Sequence, residues 1–546
     1  MNLEPGTVDP ITLEVVRSAV FSIAEEMRVI VMRSARSPLL KEAGDLSCVL
    51  TDAEGRLIAQ GNQDNPIHLG VMGFTVKEFL KRVPAEALRD GDIFYTNAPA
   101  IGGNHLPDVK AIKPIFFQGR LVAFAVSLSH WPDVGGALPG SYVPWATDLT
   151  QEGLHITPVR LFDAGGPVRE TLELVLANLR GRVEREGDIH AQRASTEVAA
   201  RRLIELFERF GAPTVLACFE RMMDESDLLM RAALKAVPDG VYEGEDFMDD
   251  DGIGDRPIRI FVRVTVRGDR ATFDFGGTDP QAAGPVNTTY FITCAGVYYA
   301  CKALLGPDIA ANDGCYRALT VDVPEGTVLN PLPHAPVVGG NHETSQRVVD
   351  VLLKAFARAI PERVVAGGMG SAGVAIMTGR WPDGRTFTYY EVHGGGEGAG
   401  ARRDGLSGVR VHMGNTMNTP VEAFEHEYPM MIERQELRPG SAGAGRHRGG
   451  LGVRRAYRIL NPAARLTTMI ERCVVRPWGI FGGEDGQPSR VTLERGGERR
   501  SIRGKESVEL REGDLVIVET AGGGGYGPPA ERPAELVERD RQEGYV

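Results

Sequence analysis

Sixty-seven of the 546 residues are glycine, well above the roughly 7% usual in proteins. Glycine is needed where the backbone takes positive φ or where two chains approach too closely for a side chain. A chain with so many such positions is expected to be loop-rich, as enzymes are, rather than a helical scaffold. Two of its glycine-rich stretches also carry histidine. Asn104-His105-Leu106-Pro107-Asp108 follows Gly102-Gly103, and His130-Trp131-Pro132-Asp133 runs into Gly135-Gly136, so two His-x-x-Asp units lie 25 positions apart.

Side chains at i and i+3 of an extended strand point to opposite faces, so His105 and Asp108 can grip one ion only across a bend. Gly102, Gly103 and Pro107 supply residues suited to that bend. The apolar run from Leu121 to Leu128 reads as a buried strand that delivers His130 at its end. Two imidazoles and one carboxylate suit zinc, manganese or ferrous iron, and three protein ligands leave a position open for water or substrate. His105, Asp108 and His130 are therefore the candidate ligands of a divalent metal. Asp133 is the preferred candidate for a general base or a carboxylate that orients a ligand histidine. Asp45 and His68 are further candidates for catalytic groups on the pocket wall. The plainer reading, loop histidines held by hydrogen bonds beside turn-capping aspartates, stands beside this one.

A net charge of −12 argues against a nucleic-acid or anionic-membrane partner, since phosphate surfaces call for clustered Lys and Arg. A small molecule or another protein is expected instead. The six cysteines, Cys48, Cys218, Cys294, Cys301, Cys315 and Cys473, form no C-x-x-C pair, so neither a disulfide framework nor a thiolate cage is indicated. The acidic start lacks the features of a signal peptide, and the longest weakly polar run, Val364 to Met377, is far below the ~20 residues that span a bilayer. A cytoplasmic location is expected. No G-x-x-x-x-G-K-[ST] loop and no G-x-S-x-G elbow occurs, so any ATP used must be bound by a partner. Gly522, Gly524 and Gly527 satisfy G-x-G-x-x-G, but Pro528-Pro529 blocks a continuous helix; a glycine turn packing near the active site is expected. Gly394 to Gly400 reads as a substrate loop or an anion nest, and equally as a structural crossover. The polar runs Gly340 to Arg347 and Asn415 to Pro420 would line a pocket or a subunit seam.

The coarse organisation is α+β in several layers. A helix over 10–35 capped by Asp9, a hairpin over 46–60, and two helices after Gly187-Asp188, split at Gly211–Pro213, make 1–237 a helix-rich metal-binding part. Pro238-Asp239-Gly240 breaks the pattern. Residues 238–453 read as mixed α/β, with strands near 257–266 and 270–275 and helices near 291–304 and 344–359, the last capped by Thr344 or Ser345. Residues 454–546 read as a small β-rich part with a helical tail.

Long stretches in order, DPITLEV from Asp9, GGNHLPDV from Gly102, HWPDVGG from His130, FDFGGTD from Phe273, NTMNTPVE from Asn415 and AGGGGYG from Ala521, resemble the hydantoinase B family from about residue 9 to 546. The resemblance implies a division of labour. An A-type partner subunit binds ATP and Mg and phosphorylates the substrate oxygen; the B-type subunit then opens a cyclic amide, a hydantoin, 5-oxoproline or lactam, with water held on a metal. It also implies His105, Asp108 and His130 as the ligands, because carboxylase members use a His-x-x-Asp and a histidine 25 positions on. An ATP-dependent ketone carboxylase subunit is the alternative within the family. A non-haem iron oxygenase, which shares the two-histidine, one-carboxylate set, and an assembly subunit without metal are the readings outside it. Ala98 and Ala100 depart from the family pattern, which implies a pocket beside the metal that is wider or short of one carboxylate.

Overall fold

The Asp9 carboxylate accepts the backbone N–H of Ile11 and of Thr12 and so caps the helix Pro10–Ser34. Leu13, Val16, Val20, Ile23, Met27 and Val31 recur at three and four and are buried on one face, each contributing about 1.5–3 kcal/mol by leaving water. That face lies against a sheet. The structure is a computed structural model that describes residues 8–381 and 383–546; the acidic start lies outside the described residues.

Among the described residues the first sheet has seven strands, all antiparallel to their neighbours, with Leu46–Asp52, Arg120–His130 and Asp108–Phe117 side by side at its centre. Leu57–Gln60 flanks one edge, and Ile93–Thr96, Val159–Asp163 and Gly166–Pro167 the other. One face packs Cys48, Leu50 and Ala125 against Pro10–Ser34 and the helices Arg182–Phe210 and Ala212–Lys235. The other face packs Val49, Ile112, Val126 and Leu128 against Val71–Leu80 and the central region, where Tyr290–Leu305 and Ser345–Phe356 join one continuous core. The central strands are thus apolar on both faces.

The central sheet runs Leu319–Asp322, Arg270–Asp274, Ile258–Arg267, Gly240–Met248, with the first pair parallel. Beyond it the strands Val374–Arg380 and Thr386–Glu391 pair with Ala464–Met469 and Lys505–Leu510, while Met430–Leu437 edges a five-stranded sheet otherwise made from Val453 onward. Both sheets therefore cross the division expected at 453/454. Ala375, Met377 and Tyr389 share one core with Leu466, Val508 and Val516, so the C-terminal strands have no closed core of their own. The architecture is α+β in several layers.

Two helix starts differ from the sequence reading. The helix expected after Gly187-Asp188 begins at Arg182, and both residues lie inside it. Asp188 serves a neighbour, accepting the backbone N–H of Arg36 and Ser37 at 2.8 and 3.1 Å, and a Cβ on Gly187 would meet the Arg36 side chain at 2.5 Å. Neither Thr344 nor Ser345 caps Ser345–Phe356. A π turn over Gly340–Thr344 runs straight into it; the Thr344 hydroxyl donates to the Val286 carbonyl and the Ser345 hydroxyl to that of Asn341. Such turns often sit at functional positions.

The glycine runs 394–400 and 521–527 are a structural crossover. Gly396 donates to Ala521 and Gly523 to Gly450, each at 2.9 Å, and a Cβ on Gly523 would lie 1.9 Å from the Glu397 carbonyl oxygen. Backbone packs on backbone there, and Gly395 pairs with Val409 next to the cavity-lining Arg410.

Candidate metal centre

Asp108 opens one central strand and His130 closes its neighbour, and the two are direct partners in the antiparallel register. Opposite residues on such strands project to the same face. The Asp108 N–H donates to the His105 carbonyl at 3.1 Å, closing the bend that brings His105 back over the strand end. One ligand atom from each of His105, Asp108 and His130 lies within 4.8 Å of the others, and all three side chains are buried. The structure thus brings together the three residues read from the two His-x-x-Asp units.

The surroundings orient these groups. His105 Nδ1 lies 3.1 Å from the Val338 carbonyl, so it carries the proton and leaves Nε2 unprotonated, 3.4 Å from Asp108 Oδ1. His68 Nε2 lies 3.4 Å from Asp108 Oδ2, and its Nδ1 lies 2.8 Å from the Ser47 hydroxyl. The Asn341 amide group reaches His105 Nε2 at 3.2 Å and Asp108 Oδ2 at 3.4 Å. His130 stacks near Tyr390, with ring centroids 4.8 Å apart, and its Nδ1 is buried without a hydrogen-bond partner, as is Asp108 Oδ1. Burial opposes ionisation of Asp108, yet the imidazoles of His105 and His68 hold its carboxyl well below the usual range. Burial also pulls His130 down to about 4, so its ring is neutral at neutral pH. A neutral His130 ring, an ionised carboxylate and two buried atoms lacking partners fit a divalent cation.

A cavity of about 30 Å³ adjoins the three side chains, space for roughly two water-sized groups. Asp45 and His68 line it, as the sequence reading anticipated. The Asp45 carboxylate accepts the Asn65 amide at 3.0 Å. Asp133 does not line it. Its two oxygens accept the N–H of Gly135 and of Gly140, both at 2.7 Å, with Arg180 alongside; it holds the glycine loop after His130. Ala98 is buried in the core and, like Ala100, lies off the cavity wall.

The remaining wall comes from far along the chain. His342 and Gln346 enter from the polar run around the π turn, Tyr390 from a distant strand, and Arg410 from a loop. His342 Nδ1 lies 3.0 Å from Glu343 Oε1, while its Nε2 is buried and unpartnered. The amide-rich composition of 340–347 signalled a pocket, although no role for His342; Tyr390 and Arg410 carried no local signal.

A family model described as Hydantoinase B/oxoprolinase matches residues 9–529. The caprolactamase subunit beta of Pseudomonas jessenii is 34% identical, across 99% of this chain and 94% of that protein. 5-Oxoprolinase 1 of Arabidopsis thaliana is also 34% identical across 96% of this chain, which spans only 42% of that longer protein. The crystal structure of the ATP-dependent caprolactamase from Pseudomonas jessenii superposes with a TM-score of 0.93 and 32% identity, covering 99% of this chain and 95% of that one.

Proposed function

The chain belongs to the hydantoinase B/oxoprolinase family, and on that premise we propose that it is the metal-bearing subunit of an ATP-dependent cyclic amide hydrolase. Its substrate would be a hydantoin, 5-oxoproline or lactam whose carbonyl oxygen is phosphorylated by an A-type partner that binds ATP and Mg. The observation that carries this reading is the convergence of His105, Asp108 and His130 on one buried point beside a cavity. Support for the two-subunit arrangement comes from the beta-subunit relative, which is covered almost end to end.

Phosphorylation turns a poor electrophile into one that water can attack. His105, Asp108 and His130 would hold a zinc, manganese or iron(II) ion, which would supply Lewis-acid polarisation and bring the pKa of water toward ~7. The chain's own groups do the rest. The Asp45 carboxylate takes the proton of the attacking water, and His68 and Asn341 hold Asp108 in place. His342, aligned by Glu343, presents its unpartnered Nε2 to the cavity, where it takes up the proton that Asp45 removed from water and passes it to the ring nitrogen as the C–N bond breaks. Addition of water and loss of the protonated ring nitrogen leave an acyl phosphate, and a second water releases phosphate and the ring-opened acid.

The test is to co-purify the chain with its A-type partner and measure ring-opened product and ADP for hydantoins, 5-oxoproline, lactams and ketones, with and without bicarbonate. ATP-dependent opening of a cyclic amide without bicarbonate is the expected result. Product formation that requires bicarbonate and a ketone would replace the hydrolase reading with the carboxylase one.

A further inference from the structure

Arg410 stands on the wall of the cavity that His105, Asp108 and His130 adjoin. Its Nη1 donates to two backbone carbonyls, Ala372 at 2.7 Å and His393 at 3.2 Å. Those bonds fix the plane of the guanidinium and occupy one prong. Its Nε is buried and without a hydrogen-bond partner, and Nη2 has no acceptor among the described residues. Gly414 makes room for this pose, since a Cβ there would lie 2.6 Å from Nη2. The Nε–Nη2 edge is the pair of parallel donors that matches a carboxylate or phosphate two-to-two.

A second donor faces the same space. Gln346 is 2% exposed, and its Oε1 accepts the Met413 N–H at 3.1 Å. That bond decides which end of the amide is oxygen and turns the NH2 group toward the cavity it lines, without an acceptor among the described residues. A shielded guanidinium and amide left this way cost free energy unless a ligand completes them. The carboxylates on the wall, Asp45 and Asp108, do not bond to Arg410, nor do Glu343 and Glu391 nearby; a divalent cation on the triad would offset the first two.

We propose that Arg410, assisted by Gln346, forms an oxyanion-recognition subsite that takes a carboxylate or phosphoryl group of the substrate and so fixes the reacting carbon against the triad. This deepens the hydrolase reading and rests on it for the identity of the substrate. The shared chemistry is a compact oxyanion with two oxygens in one plane. Its two sources are a carboxylate on the ring, as 5-oxoproline carries, and the phosphoryl group transferred by the partner.

The experiment uses the full chain loaded with zinc, first alone and then with its partner. Calorimetric titration with inorganic phosphate and with acetate compares wild type, Arg410→Met and Arg410→Lys, with zinc content and melting temperature measured on the same samples. Arg410→Met is expected to weaken at least one anion by tenfold or more with zinc content unchanged, and Arg410→Lys to recover only part of that. Equal affinity of wild type and Arg410→Met for both anions overturns the subsite. With the partner present, a rise in KM confined to 5-oxoproline and absent for ε-caprolactam identifies the ring carboxylate; an equal loss on both identifies the phosphoryl group. Anion binding that depends on Arg410, with no cyclic amide opened by the complex, would sink the hydrolase reading and leave the subsite standing. Turnover of 5-oxoproline and of ε-caprolactam both indifferent to Arg410→Met would do the reverse.

Discussion

Asp108 and His130 are cross-strand partners at the ends of two adjacent antiparallel strands, one at a beginning and the other at an end. The ladder between them holds Cβ atoms at about 4.5–5.5 Å, so the spacing of these candidate ligands is set by sheet geometry rather than by a mobile loop. Replacing Asp108 removes the one carboxylate of the triad and leaves two imidazoles. Asp108→Asn is expected to weaken divalent-metal affinity by about 100-fold or more, read by competition with a chromophoric chelator. Affinity within threefold of wild type would show that Asp108 is not a ligand.

Asp45 and Asp133 separate chemistry from scaffolding. Asp45 lines the cavity, whereas Asp133 ties down Gly135 and Gly140. Asp45→Asn in the assembled enzyme is expected to lower kcat by about 100-fold or more with metal content kept. Asp133→Ala is expected to cost about 1–3 kcal/mol of stability by leaving buried N–H groups unpaired, seen by chemical denaturation. A full kcat in Asp45→Asn would remove that residue from the proton transfer.

Three buried histidines set an acid limit on the metal-free protein. Burial pulls His130 down to about 4 and His393 to about 3, and His342 well below the usual imidazole range. The unfolded chain binds these protons near pH 6.5 and the folded chain does not, so unfolding takes up protons as pH falls. Their share of the stability is therefore full above about 6.5 and declines toward pH 4, by up to about 1.4 kcal/mol per pH unit per histidine. Burial holds Glu152 and Glu343 up at about 8, which works in the opposite direction over the same range, so the histidine share is read against a variant. Between pH 7 and 5 the urea midpoint of wild type should fall relative to that of His393→Gln. Parallel midpoints in the two proteins would mean that His393 gains its proton without cost in the fold.

Gly523→Ala tests the glycine crossover. The added methyl would enter the Glu397 carbonyl, 1.9 Å from its oxygen, and backbone on both sides leaves nothing soft to yield. A loss of several kcal/mol or failure to fold is expected, by overpacking. Wild-type stability in this variant would contradict the packing described for 394–400 and 521–527.

Local patterns in the sequence carried much of this. Periodicity and Asp9 marked the first helix, alternation marked the strands, and the bend residues around His105 and Asp108 marked the candidate ligands. Asp133 misled because it repeats the His-x-x-Asp spacing; after His130 the chain leaves the sheet, and the nearest unpaired donors to that carboxylate are glycine amides. Asp188 misled in the same way, as a helix-start residue that instead binds the backbone of Arg36 and Ser37. Tyr390 and Arg410 reach the cavity only through the pairing of distant strands and loops, a long-range contact that no local pattern encodes. The shared sheets across 453/454 were hidden for the same reason, since strand partners there lie up to about a hundred positions apart in the chain.

The most direct measurement is an X-ray anomalous difference map of the protein purified with its native metal, collected above and below that metal's absorption edge. The account predicts one strong peak within coordination distance of His105, Asp108 and His130, facing the cavity that Asp45 and Arg410 line. Full metal content with no peak at those three residues, or with the peak at another group of side chains, would contradict it.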